Sequence, residues 1–234
     1  MGFGDVFVIG AARTAVGSFQ GQFSTTPAAR LGATAIRAAV ERAGVAPKDI
    51  ERCYMGNVLN AAQGQAPARQ ACLYAELPND VPCITVSKVC GSGMESIIMA
   101  ARTLMLGDAD LVVAGGMENM TMTPYAMPAA RTGMRMGDST VKDLMISDGL
   151  WDPYGDQHMG MFAEQCAEKY NFSREEQDLL AMNSYERAQT ATADGTFKRE
   201  IVAVEVPQRR GDPLVIEEDE EPKRYKKDKV GKLR

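Results

Sequence analysis

The chain has 234 residues, 45% hydrophobic and 24% charged, with 22 Gly and 11 Pro. That is more than one average domain of ~100–150 residues and less than two, and the composition excludes a disordered chain, a collagenous repeat and a disulfide miniprotein. Thirty-one acids against 26 bases leave a net charge of -5, so no overall field draws the chain to nucleic acid or an anionic membrane.

Residues 5–10 (Asp-Val-Phe-Val-Ile-Gly) read as a short buried strand ended by glycine. Thr26-Pro27 opens a helix with a capping hydroxyl and a proline at the first helical position. Leu31, Ala35, Ala39 and Val40 line one face of it, and Gly44 stops it. Residues 53–58 form a second strand, a small-residue helix follows around 65–75, and residues 84–86 form a third strand leading into Cys90-Gly-Ser-Gly. A helix then carries Ile97, Ile98, Ala101, Leu104 and Met105 to Gly107, and a fourth strand over 111–114 closes on Gly115-Gly116. Strands alternating with helices point to an α/β layer around a largely parallel sheet.

Past residue 117 the character changes. Residues 117–160 hold eight of the 15 Met, with scattered Gly, Pro and Asp and no sustained period. Helical patterns follow at 160–170 and 174–192, the second opened by the capping box Ser173-Arg-Glu-Glu176. A strand-like run over 201–206 comes next, and the acidic Glu217–Glu221 then abuts the basic Lys223–Lys229. The division expected is an α/β core over residues 1–117 and an inserted loop or cap domain over 118–234. A charge run is usually a solvated face, and the acids would neutralise much of the basic field.

Five cysteines (Cys53, Cys72, Cys83, Cys90, Cys166), odd in number and without a C-x-x-C pair, argue for reduced thiols in a cytoplasm. They argue equally against a disulfide framework or a zinc site, and no metal is expected. No basic or apolar leader precedes Val6–Ile9, and no apolar stretch approaches the ~20 residues of a membrane span. No G-x-G-x-x-G or P-loop follows a strand, so neither a dinucleotide nor ATP is implied.

The most informative segment is Thr85-Val-Ser-Lys-Val-Cys90-Gly-Ser-Gly-Met-Glu. A cysteine stands on a sharp turn between a buried strand and a helix, with Gly91 and Gly93 permitting the tight backbone. A helix N-terminus favours a thiolate over the free thiol of pKa ~8.5. Its N–H groups could also hold an oxyanion after the sulfur attacks a carbonyl. That is a nucleophile elbow with sulfur as the attacking atom. The alternative, a buried structural cysteine, is the reading for Cys53, Cys72, Cys83 and Cys166.

Val89-Cys90-Gly-Ser-Gly-Met resembles the nucleophile motif of thiolases, the acetyl-CoA acetyltransferases. Ile9-Gly-Ala-Ala-Arg-Thr14-Ala-Val-Gly17, Met55-Gly-Asn-Val58, Gln65-Ala-Pro-Ala-Arg69 and Ala114-Gly-Gly-Met-Glu118-Asn-Met120 are similar to the same family. So are Lys142–Leu150, His158-Met159-Gly160 and Ala163-Glu164. Lys88-Val89-Cys90 and Asp219–Arg224 look most like its short-chain, acetoacetyl-CoA branch. The resemblance implies a layered α/β fold in partial form. One mixed or parallel sheet is flanked by helices and carries the loop domain, while the family's second α/β half and the last strand of the first are absent.

The resemblance further implies that Cys90 carries an acyl group as a thioester, with CoA thioesters as substrates and no other cofactor. Leu150, His158 and Met159 would lie near bound CoA, and Arg224, with Lys223 as a substitute, near its nucleotide end. The Met-rich run could wall the pantetheine arm, or simply pack as core. The family's Gly-His-Pro histidine, water-holding Asn and second, glycine-rich Cys motif do not occur here. A thiolate must be generated and a carbon acid deprotonated, each with a base at hand. The expectation is therefore a complementary chain or segment carrying the catalytic His and second Cys, in a homo- or hetero-oligomer. His158, the only histidine, stands at a helix start, where a cap or contact role is the commoner fate. Two alternatives remain at this stage: a non-catalytic thiolase-like interaction subunit, and a related enzyme condensing acetyl-CoA with a ketoacyl-CoA.

Overall fold

The computed structural model describes residues 4–232. Its first half runs β1 (Arg13–Thr14), α1 (Ala28–Ala43), β2 (Arg52–Gly56), α2 (Pro67–Tyr74), β3 (Cys83–Val86), α3 (Ser92–Leu106) and β4 (Val112–Gly116). β3, β2 and β4 form one parallel sheet in that order, with Cys53 between Cys83 and Val113, and Gly56 between Val86 and Gly116. The chain steps from β2 outward to β3, then crosses back to place β4 on the other side of β2. At such a reversal the loops beyond the strands part, leaving a crevice at their carboxyl ends.

Alternation along β2 assigns its two faces. Cys53 and Met55 enter a core with Ala33, Ile36 and Val40 of α1 and Ala68, Ala71 and Cys72 of α2. Tyr54 turns to the other face, where its hydroxyl lies 3.1 Å from Thr103 Oγ1 on α3. The small residues of α1 and α2 let the two helices close on each other and on the strand. Gly44, at φ +67°, ends α1 in a left-handed cap. Thr26 does not cap that helix: Pro27 occupies the cap position and no side chain caps it. The Thr26 carbonyl instead accepts from Asn119 Nδ2 at 2.8 Å.

A further expectation is corrected. Residues 5–10 form no strand, and Val8 is 82% exposed. No strand among the described residues pairs with this segment. A cavity of about 690 Å³ separates it from β4, lined also by Ile97 and Leu104 of α3. On α3 the residues that seat against the sheet are Ser92, Ser96 and Ala100, whereas Met94, Ile97, Ile98, Met105 and Leu106 stay exposed. Ser96 explains this seating, since its hydroxyl bonds the carbonyls of Gly93 and Gly115, both at 2.7 Å.

The next stretch carries two small antiparallel pairs, β5 (Tyr125–Ala126) with β6 (Lys142–Asp143) and β7 (Trp151–Asp152) with β8 (Gln157–His158). A single π-helical turn, Ile146–Leu150, stands between them, and α4 (Met159–Tyr170) and α5 (Arg174–Ala193) follow. No residue from 118 to 203 is fully buried. The predicted capping box opens α5, with Glu176 N–H donating to Ser173 Oγ and Ser173 N–H to Glu176 Oε2. Cys166, read as a buried cysteine, is exposed on α4.

The chain then returns to its beginning. The strand-like run 201–206 divides at Ala203: β9 (Ile201–Val202) pairs in parallel with β1, and β10 (Val204–Val206) pairs antiparallel with β11 (Leu214–Ile216). Val204, Val206 and Ile216 build a second core with Ala15, Phe23 and Leu31. In the acidic run before α6 (Glu221–Arg224), Glu217 and Glu218 are exposed, but Asp219 and Glu220 turn inward to the chain's beginning. Asp219 takes both guanidinium arms of Arg13, at 2.7 and 3.0 Å, and the Val16 N–H at 2.8 Å. Glu220 accepts from the N–H groups of Ser18 and Gln22, both at 2.9 Å. Burial pushes the Asp219 carboxyl up, but the bonds from Arg13 and Val16 outweigh it and hold it below its usual range.

Candidate active site

β3 ends at Val86, α3 begins at Ser92, and Cys90 is exposed on the turn between them. Local hydrogen bonds fix that turn. Gly91 N–H donates to Lys88 O and Ser92 N–H to Val89 O, both at 3.1 Å. The Ser92 hydroxyl donates to Val89 O at 2.6 Å and accepts from Lys88 N–H at 2.7 Å. The positive φ falls on Val89, at +48°, not on either neighbouring glycine. A left-handed β-branched residue is a strained one, so the backbone is strained one position before the thiol.

The glycines serve a different purpose from the one expected. Gly91 has an ordinary φ of −86°. Gly56, Gly93 and Gly116 instead bring α3 down onto the ends of β2 and β4. A Cβ on Gly56 would stand 2.6 Å from Gly93 N, and one on Gly116 would stand 3.3 Å from Gly93 Cα. The helix N-terminus is thereby held at the sheet's carboxyl ends. Its Glu95, near the start of α3, is ion-paired with Lys88 and lies 3.7 Å from Arg102. The bond from Lys88 holds the Glu95 carboxyl below its ordinary range.

Cys90 opens into a cavity of about 400 Å³ whose wall includes Asn57, Leu59, Glu118, Met120 and Leu150. Its polar side is a fixed pair. Asn57, only 1% exposed, donates through Nδ2 to Glu118 Oε1 at 2.7 Å and to Met117 O at 3.2 Å. Glu118 Oε2 accepts from Val58 N–H at 2.9 Å and Leu59 N–H at 3.3 Å. Asn57 Oδ1 is buried with no partner among the described residues. Leu150 arrives from the π-helical turn, where a Cβ on Gly149 would stand 3.2 Å from Leu59. A thiol at a helix N-terminus, beside a cavity with one apolar and one polar wall, can attack a carbonyl whose attached chain lies along the apolar wall.

Of the residues singled out in the sequence, Cys90 and Leu150 therefore meet in one cavity. His158 and Met159 lie outside its wall, although β7 and β8 register His158 with Trp151, the residue after Leu150. His158 is the N-cap of α4, and its Nδ1 accepts from Gly160 N–H at 3.0 Å. Arg224 is not in the wall of this cavity and is ion-paired with Glu221 at 3.3 Å, while Lys223 pairs with Glu218 at 2.7 Å. Met117 and Met120 line the Cys90 cavity, so part of the methionine run does form an apolar wall. Sequence reasoning missed Asn57 and Glu118 as a structural unit. The signal available was their position, Asn57 directly after β2 and Glu118 two residues after β4, both strands ending in glycine.

The family model for the thiolase N-terminal domain matches residues 6–234. The acetyl-CoA acetyltransferase of Cupriavidus necator is 50% identical over 216 residues, 92% of this chain and 55% of that protein. The acetyl-CoA acetyltransferase of Pseudomonas aeruginosa is 49% identical over 219 residues, 94% of this chain and 56% of that protein. Among solved structures, the Acat5 thiolase of Ascaris suum in complex with coenzyme A superposes with a TM-score of 0.92 at 36% identity. It covers 99% of this chain, which covers 58% of it. The chain thus spans little more than half the length of these relatives. A cysteine on a strand–helix turn at the carboxyl ends of a parallel sheet, inside a match to the thiolase N-terminal domain, places this chain in the thiolase family.

Proposed function

We propose that this chain supplies the acyl-accepting part of an acetyl-CoA C-acetyltransferase, with Cys90 as the nucleophile. The observation that carries the reading is the exposed Cys90 thiol on a glycine-seated turn, opening into the cavity walled by Leu150. The thiolate attacks the thioester carbonyl of acetyl-CoA, the carbon–sulfur bond to CoA breaks, and acetyl-Cys90 forms as CoA thiolate departs. Amides at the α3 N-terminus stabilise the oxyanion of the intermediate. No cofactor beyond the CoA thioester substrate enters the proposal.

Leu150 would contact the pantetheine arm, with His158 and Met159 close by; this is supported by the β7–β8 register, which pairs His158 with Trp151, the residue after Leu150. Arg224 would meet CoA phosphates only after leaving Glu221, which makes it the weakest of these assignments. The general base and second cysteine would come from a complementary chain or segment. That reading is supported by His158, whose ring is engaged at a helix cap, and by the cavity of about 690 Å³ between residues 5–10 and β4. Residues 1–117 would then act as the core and 118–234 as the loop domain over the substrate. Among the described residues no helix is long and apolar enough to cross a membrane, and a cytoplasmic setting is proposed.

The test is incubation with acetyl-CoA followed by peptide mass spectrometry, with and without co-purifying chains. One acetyl group on the Cys90 peptide, absent in Cys90→Ser, is the expected result. Acetylation spread over several cysteines, or none under either condition, would overturn the nucleophile assignment. The engaged His158 favours a second reading, a non-catalytic interaction subunit. That reading predicts CoA binding without any acetyl transfer.

A further inference from the structure

Cys53, Cys72 and Cys83 come together although the sequence scatters them. β2 and β3 run in parallel with Cys53 directly beside Cys83, and α2 lowers Cys72 onto the same face. The three sulfur atoms lie within 4.8 Å of one another. Cys53 and Cys72 are fully buried, and Cys83 is half-buried on the outer strand of the sheet. Three different elements thus aim thiols at one point, well away from the turn that carries Cys90.

Three small side chains could simply fill a core, which is the ordinary fate of buried cysteine. The geometry goes further than filling. At the centre of the largest triangle that this spacing permits, an ion would lie ~2.8 Å from each sulfur, against the ~2.3 Å of a metal–thiolate bond. Closing the site therefore takes ~0.5 Å of side-chain movement per ligand, with no change of fold. Arg69 lies against Cys83 and anchors to Val81 O at 2.9 Å, so a cation of the protein stands ready to offset part of the thiolate charge.

We propose that Cys53, Cys72 and Cys83 form a trigonal three-thiolate site for a soft d10 cation, Cu(I) in first place. Thiolate ligands select Cu(I) and Zn(II) among the common ions. Zn(II) in closed sites takes four ligands, and no fourth His, Cys, Asp or Glu joins the group among the described residues. Cu(I) is satisfied by three. Binding forms three copper–sulfur bonds and releases the thiol protons to solvent, so apparent affinity rises with pH. No electron is transferred, because the ion enters and stays as Cu(I).

The test uses the full chain carrying Cys90→Ser and Cys166→Ser, which removes the thiols outside the cluster. It is titrated anaerobically with Cu(I) held by a competing chelator, following the thiolate-to-copper absorption band and bound metal by native mass spectrometry. One Cu(I) per chain, withdrawn from the chelator at least ~100-fold more effectively than by glutathione at equal thiol concentration, is expected. Adding Cys83→Ser, or Cys72→Ala should the first variant fail to keep its circular dichroism, should abolish that advantage. Uptake no better than glutathione's, or uptake unchanged by the third substitution, would overturn the site. Zn(II) binding as tightly as Cu(I) would overturn the trigonal assignment.

Discussion

The layer built on β2 and the stretch from 118 to 203 hold their shapes by different means. Around β2, α1 and α2 close on a strand buried from Cys53 to Gly56, and Ala68, Ala71, Cys53 and Cys72 have no exposure at all. From 118 to 203 no residue is fully buried. That stretch is held by a capping box, short hairpins and side-chain bonds to the backbone, while Phe162, Phe172, Leu179 and Leu180 remain exposed. Local hydrogen bonds define helices, but burial supplies most of the free energy that keeps a fold together. The outer stretch is accordingly the part of the molecule whose stability depends most on what it touches.

The largest effect should come from crowding the glycine seat. Gly56→Ala places a methyl group 2.6 Å from Gly93 N, and overpacking of this kind costs about 3 kcal/mol or more. Urea unfolding followed by circular dichroism should show the loss in the whole layer. A change below about 0.5 kcal/mol would mean that the seat is loose. Next comes Glu118→Ala, which removes the acceptor for Val58 and Leu59 N–H and the partner of Asn57. Hydrogen bonds to a charged group and the groups left unpaired predict about 2–3 kcal/mol, read by the same unfolding measurement.

The Arg13–Asp219 tie makes a prediction in pH. The folded Asp219 carboxyl titrates below its unfolded value of about 3.9, so it binds protons less readily folded than unfolded. Its stabilisation is complete above that unfolded value and is lost as pH falls through the lower, folded one. Asp219→Asn should lower the urea midpoint at neutral pH and flatten its decline below pH ~4. An unchanged acid limb would mean that other carboxylates govern it. The smallest effect should be Ser173→Ala, worth about 1 kcal/mol at the α5 cap. Faster hydrogen exchange confined to α5, with global stability unchanged, is expected. An equal global loss would show that the outer stretch unfolds with the core and would erase the contrast between the two.

Much of the inner layer was legible because its signals are local. Gly44 closes α1 and strand–helix alternation gives the parallel sheet, and in the outer stretch the equally local capping box opens α5. Residues 5–10 show where such signals stop. Their apolar run is strand-like, yet a strand needs a partner in reach, and none of the described residues provides one. The face that α3 turns to the sheet was not legible at all. Its Ser96 bonds two carbonyls and draws the small residues inward, which hydrophobic spacing alone cannot foresee. Cys90 was legible from its turn, whereas Asn57 and Glu118 matter through each other, 61 positions apart. The acids were read only as neighbours that neutralise the basic run, because charge patterning says nothing about a single arginine 206 positions upstream.

That arginine has a consequence for synthesis. Arg13 and Asp219 are 206 positions apart, and ribosomes add roughly 5–20 residues per second. The loop after β1 therefore waits about 10–40 s after its own translation for the carboxylate that fastens it. During that interval the β2 layer can assemble behind it, since β2, β3 and β4 close over short connections. Until Asp219 and Glu220 emerge, the nascent chain holds the turn after β1 without the carboxylates that bond Arg13, Val16, Ser18 and Gln22, which sets the window in which a ribosome-associated chaperone could hold it.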